Sequence, residues 1–133
     1  MKNPMDLYED YAKEMEEDTT INSVNVMEKQ FSSPNVKHKW LYRLGKNKRV
    51  LLDLIELKDN FVNKQLTANN PLNLSKGALA AKSGNDPTYK ELQSKIKDQE
   101  ILVEYLDSAV NKIFSQMGFD FRNLVEMMKQ EQL

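Results

Sequence analysis

The stretch from Asp86 to Met117 constrains this chain more than any other. Asp86-Pro87 is a helix start signal: an acceptor side chain for the N-cap, then a proline at the first helical position, where a missing N–H costs nothing. From Leu92 the inward positions step Leu92, Ile96, Gln99, Val103, Leu106, Val110, Ile113 and Met117, alternating fours and threes. That is the spacing of a heptad seam, which lets helices pack along their length. A second stripe, Leu102, Tyr105, Ala109 and Phe114, flanks the first. One neighbouring helix cannot cover both stripes. Either the rest of the chain wraps this helix or further copies of the protein do.

Composition supports long helices. Four glycines and four prolines in 133 residues leave few breaks, and 40% hydrophobic with 29% charged residues suits one helical domain better than a large monomeric core. No run approaches the length of apolar sequence a membrane span needs. The first residues lack a basic segment leading into an apolar one. There is no cysteine, which excludes a disulfide framework and thiolate metal sites. The expectation is an intracellular protein.

In chain order, Pro4 opens a first helix with Met5, Tyr8, Ala12 and Met15 on one side, and its early acids suit the helix dipole. Asp18 to Ser23 breaks it, and Ser23 or Asn22 can cap a short helix through Val24, Met27 and Phe31. Ser33-Pro34 repeats the cap-then-proline signal and launches a third helix to about Leu66. Its apolar positions include Val36, Trp40, Leu44, Leu51, Leu54, Ile55, Phe61 and Val62. Gly45 is a weak point within it, at about 1 kcal/mol relative to alanine. Thr67 to Asn85, with its asparagines, Pro71, Gly77 and Gly84, reads as a long surface loop. Gly118 reads as the C′ glycine ending the long helix, and Asp120 as the cap of a final helix carrying Phe121, Leu124, Val125 and Met128.

A net charge of −1 conceals a partition. Seven acids stand against two lysines from Met1 to Asp18, whereas Lys37, Lys39, Arg43, Lys46, Lys48 and Arg49 form a run with no acid. Two separated surfaces are expected, one of them attractive to polyanions. Lys39, Arg43 and Lys46 step three to four apart along one flank of a helix, an arrangement that spaced phosphates reward through counterion release. A solvated cationic face is the competing interpretation. Trp40 and Tyr42 lie within the run and can stack on bases. The period set by Val36 and Leu44 instead places Trp40 in the core. Gln99 sits in the seam, where a polar residue either fixes register or reaches solvent. The Met117, Met127 and Met128 set reads as adaptable packing.

Catalysis has little support. His38 is the single histidine and lies in the basic run, no nucleophile elbow is present, and no phosphate-binding loop or zinc-protease motif occurs. No metal site and no cofactor are expected. Glu100 and Glu104 read as a solvated pair.

Two ordered blocks resemble a known family. The first is Ile21-Asn22-Ser23, Val26 and Glu28, then Lys39-Trp40-Leu41; the second is Ile101-Leu102, Tyr105, Ala109, Ile113 and Gly118-Phe119. Together they are similar to the UvsY-type recombination mediators of T-even-type bacteriophages. The resemblance implies a non-enzymatic protein of phage homologous recombination in the cytoplasm of the infected host. It implies a ring-like homo-oligomer of six or seven subunits held largely by its C-terminal helical region. It also implies single-stranded DNA binding and partnership with a RecA-like recombinase of the UvsX type and the phage single-strand binding protein. One departure stands out. The family's Lys-x-Arg signature falls on Asn63-Lys64-Gln65-Leu66, so Lys64 carries over while Leu66 replaces the arginine, and Ala68-Asn69-Asn70 replaces an aromatic pair.

The expected architecture is therefore all-α, with long helices and a C-terminal coiled-coil-like oligomerisation region. It is one domain over 1–133, divided into 1–66, the loop 67–85 and the oligomerisation helices 86–133. Lys39, Arg43, Lys46, Lys48, Arg49, Lys58 and Lys64 are the expected DNA contacts. Val103, Leu106, Val110, Ile113, Met117, Phe119 and Leu124 are the expected contacts between copies. The alternative is a helical protein–protein adaptor or structural oligomer without DNA binding.

Overall fold

The structure is a computed structural model and describes residues 2–68, Ser75, Ala78 and 86–131. Every element among them is helical. Helix α1 spans Pro4–Thr19, α2 spans Val26–Ala68, and α3 spans Pro87–Ser108. A π-helical turn, Ala109–Ile113, joins α3 to α4, Phe114–Glu131. Almost all of the expected 67–85 loop lies outside the described residues.

The predicted starts are present as chemistry. The Asn3 side chain accepts from the Asp6 N–H at 2.9 Å ahead of Pro4, and Asp86 accepts from the Thr88 N–H at 2.8 Å ahead of Pro87. Between α1 and α2 two asparagines cap each other. Asn22 Oδ1 accepts from the N–H groups of Val24 and Asn25 at 2.9 and 3.0 Å, while Asn25 Oδ1 accepts from the Asn22 N–H at 2.8 Å. Of the two capping candidates, Asn22 supplies the cap.

Three expectations are corrected. Pro34 does not begin a new helix; α2 runs through it. A proline in a helix interior forfeits one hydrogen bond and costs about 3 kcal/mol. Continuity offsets this by keeping Val26 on the face that carries Val36, Trp40 and Leu44, and Val26 is fully buried. Gly118 is likewise helical, and Asp120 is no cap: its carboxylate accepts from Gln116 Nε2 at 3.1 Å on the helix surface. Phe114, Met117 and Phe121 bury on one face across the glycine, which favours an unbroken helix.

The third correction concerns the seam. At the π turn the Phe114 N–H reaches back five residues to the Ala109 carbonyl, which inserts one residue into the helical period. The buried face therefore reads Ile96, Gln99, Leu102, Leu106, Ala109, then Phe114, Met117 and Phe121. Leu102, Ala109 and Phe114 come from the flanking stripe, while Val103, Val110 and Ile113 of the seam are left half-buried.

Helix α2 packs antiparallel to α3 and α4. The Phe61 and Tyr89 rings meet at 6.2 Å, Asn47 meets Gln99 midway, and Leu41 lies near Phe114. Gln99 is 2% exposed, and its Nε2 donates to the Asn47 carbonyl at 2.9 Å and to Asn47 Oδ1 at 3.1 Å. Asn47 Nδ2 in turn donates to the Arg43 carbonyl at 2.8 Å. Among the described residues no buried side-chain nitrogen or oxygen lacks a partner. Gln99 thus sets the register between two helices of the same chain. Helix α1 closes the bundle: Met15 is buried, and the Tyr8 ring lies 4.9 Å from that of Tyr105. Among the described residues no helix is long and apolar enough to cross a membrane.

Candidate nucleic-acid interface

The basic run occupies the middle of α2, and its first members face α1. Lys39 Nζ pairs with Asp18 at 2.8 Å and with Glu14 at 3.5 Å, and the Arg43 guanidinium pairs with Glu14. Trp40 Nε1 donates to the same Asp18 carboxylate at 2.8 Å. Arg43 lies over the rings of Tyr11 and Trp40, 4.8 and 4.7 Å from their centroids, and the two rings meet edge to face at 5.5 Å. Trp40 is fully buried. Of its two readings the core one holds, and the indole satisfies its polar edge on α1, as a buried indole must.

This cluster brings the acidic and basic segments together, where separated surfaces were expected. Glu14 and Asp18 are four residues apart on α1, as are Lys39 and Arg43 on α2, so two carboxylates meet two cations in register. The Arg43 hydrogen bond holds the Glu14 carboxyl below the ordinary glutamate range, against the opposing effect of partial burial; Lys39 assists. Burial, with Tyr8 nearby, pushes the Tyr105 phenol up.

The other expected DNA contacts do not converge on one spot. At about 100° per residue around α2, Lys39, Lys46 and Lys64 share one flank and Lys48 lies on the other. Lys46 and Lys48 are exposed, and neither has an ion pair among the described residues. Arg49 is exposed and pairs with Asp53 one turn on, at 3.2 Å. Lys58 is half-buried. Lys64 stands at an open cleft of about 650 Å³ between the end of α2 and the start of α3, with Phe61, Asn63, Glu91 and Lys95 among its walls. Tyr42, the second aromatic of the run, is exposed.

The expected contacts between copies divide as well. Leu106 and Met117 are spent in the core of the single chain, Val103, Val110, Ile113 and Leu124 are half-buried, and Phe119 is exposed. Exposed Met127 lies near the end of the same helix. At the start of α2, Met27 and Phe31 face solvent beside exposed Val24, because Val26 took the inward position. The short helix expected through Val24, Met27 and Phe31 is instead the first turns of α2, and its apolar positions lie on the outer side.

Among the described residues no cluster of histidine and carboxylate side chains is arranged to hold a metal ion. No family model matches the chain, and no curated protein or solved structure matches it either.

Proposed function

We propose that this protein is a non-enzymatic mediator of homologous recombination. It binds single-stranded DNA with little sequence preference and helps load a RecA-like recombinase, of the UvsX type, onto strands covered by a single-strand binding protein. The observation that carries this reading is the part of the basic run left to solvent: Lys46 continues along the Lys39 flank of α2, Lys48 adds a cation on the other flank, and neither has an ion pair among the described residues. Phosphate contacts of this kind position a strand without reading its bases.

The resemblance in the two ordered sequence blocks supplies the partners. They are the recombinase, the single-strand binding protein and further copies of this chain in a six- or seven-subunit ring, acting in the cytoplasm of an infected bacterium. A coiled-coil-like contact through α4 has exposed Phe119 and Met127 to draw on. Repetition of a modest cationic patch around such a ring raises avidity through effective concentration. A strand held along the outside is thereby pulled from its covering protein and presented to the recombinase.

A protein-only helical adaptor is the second reading, favoured by the engagement of Lys39 and Arg43 with α1. Fluorescence anisotropy with an oligo-dT strand at a series of salt concentrations separates the two. The mediator binds, and log affinity falls linearly with log salt. Replacing Lys46, Lys48 and Arg49 with alanine lowers that slope by about two, at roughly 0.7 per single-strand phosphate contact. Absence of binding at low salt sinks the mediator reading. An unchanged slope in the triple variant moves the contact to the Lys64 cleft.

A further inference from the structure

Helix α2 carries an outer face that the described chain leaves largely to solvent, with His38 and Leu41 bordering a cleft they share with Val110, Phe114 and Ser115. Met27, Phe31, Leu41, Gly45 and Leu52 fall within roughly 60° of one direction at about 100° per residue, opposite Trp40, Leu44 and Asn47, and Val24 in the turn before α2 extends the series. All are exposed, Val24 at 93% and Phe31 at 92%. Pro34, His38 and Lys48 complete the series, which steps in threes and fours from 24 to 52, the spacing by which one helix packs along another. Gly45 adds an independent sign. A Cβ built there meets nothing within 4 Å, so packing inside the chain does not require glycine, yet glycine destabilises a helix interior relative to alanine. A glycine on an otherwise apolar face is explained by a second backbone coming close.

We propose that this face pairs with the same face of a second copy, the two α2 helices running antiparallel about a two-fold axis near His38. Such an axis sets Phe31 of one copy against Gly45 of the other and Val24 against Leu52, at both ends at once. The bulky half of the face meets its lean half, the self-complementarity that an isologous contact demands. Charge agrees with this arrangement. Glu28 and Lys46 share one flank of the face, both are exposed, and neither has an ion pair among the described residues. The antiparallel pairing brings Glu28 of each copy towards Lys46 of the other. The seam is about 42 Å long at 1.5 Å per residue, and a contact one helix wide over that length lies at the small end of specific interfaces. The pairing is therefore reversible and concentration-dependent. It uses a surface distinct from α4 and needs no nucleic acid, so it is tested on the protein alone; because it engages Lys46 and Lys48, pairing through α2 and the proposed strand contact compete for the same residues.

Sedimentation equilibrium of the full chain across the micromolar range tests it, with Gly45→Leu as the principal variant. The single chain has room for the leucine, so helix content and thermal midpoint by circular dichroism stay at or above those of the parent, while the assembly mass falls by half. Glu28→Lys alone weakens pairing by about fivefold, two exposed ion pairs' worth, and adding Lys46→Glu restores it. Phe119→Asp with Met127→Asp, which alters only the α4 surface, leaves the α2 pairing intact. A parent chain with the mass of one copy throughout overturns the proposal and leaves the face to a different protein. An assembly mass unchanged by Gly45→Leu overturns it in favour of contacts elsewhere, and failure of the charge exchange to restore pairing overturns the antiparallel arrangement.

Discussion

The two faces of α2 are built from similar residues and do opposite things. Inward, Trp40 is wholly enclosed, with its N–H on Asp18 and a guanidinium over its ring; outward, less than three turns away along the same helix, Phe31 has almost all of its surface in water. Lys39 and Arg43 are held by carboxylates of α1; further along the helix Lys46, on the same flank as Lys39, and Lys48, on the other, have no such partner among the described residues. An aromatic or a cation in this sequence thus has no fixed meaning. Its meaning comes from where around and along the helix α1 and α3 pack.

The sharpest way to break the comparison is to truncate an aromatic on each side. Trp40→Ala removes a fully buried ring and one of the two hydrogen bonds to Asp18, which keeps Lys39, at an expected cost of about 3–5 kcal/mol, read as a lowered urea midpoint by far-ultraviolet circular dichroism. A loss below about 1 kcal/mol would mean that α1 does not pack as described. Next in size is Gln99→Leu, which leaves the Asn47 side chain short of a partner and costs about 1–3 kcal/mol. Adding Asn47→Leu recovers part of that loss, because removing both polar groups costs less than orphaning one. Double-mutant analysis of unfolding curves gives the coupling directly, and strict additivity would refute a shared contact.

Glu14→Gln ranks third, at about 0.5–1 kcal/mol for a partly exposed pair, less at high salt. Its more telling consequence is with pH. The Glu14 carboxyl is held below its ordinary value of 4.5, so the unfolded chain takes up the proton first as pH falls. The stabilisation is present above the unfolded value and drains away as pH falls through the folded one. Natural protein should lose stability more steeply below pH 4.5 than Glu14→Gln does; parallel curves would show that the Arg43 pair contributes nothing. The smallest effect belongs to the outer face. Phe31→Ser changes the folding stability of the single chain by less than about 0.5 kcal/mol, measured at a concentration low enough to keep copies apart.

Much of this layout was legible beforehand because it depends on local chemistry. The starts at Pro4 and at Asp86-Pro87 rest on chemistry within one turn, and both are capped, the second by the Asp86 that was expected and the first by Asn3. Trp40 followed from the period set by Val36 and Leu44. The breaks were misread where local preference and burial pulled apart: Pro34 and Gly118 are poor helix residues that stay helical because Val26 on one side, and Met117 with Phe121 on the other, gain more by remaining on a common face. The candidate interface was legible as a list of cations but not as a surface. Nothing in the run distinguishes Lys39, whose charge is met by Asp18, from Lys46, which has no ion pair among the described residues.

What the sequence determined by itself was therefore the helical character, the chief starting points and the inventory of charge, since each follows from spacings of four residues or fewer. Tertiary structure alone decided which stripe of the Asp86–Met117 stretch became the core, because the π turn at Ala109–Ile113 rotates the face mid-helix to meet α2. It also decided which cations stay in water, because that depends on α1 folding back across more than twenty residues of chain to place Glu14 and Asp18 against Lys39 and Arg43.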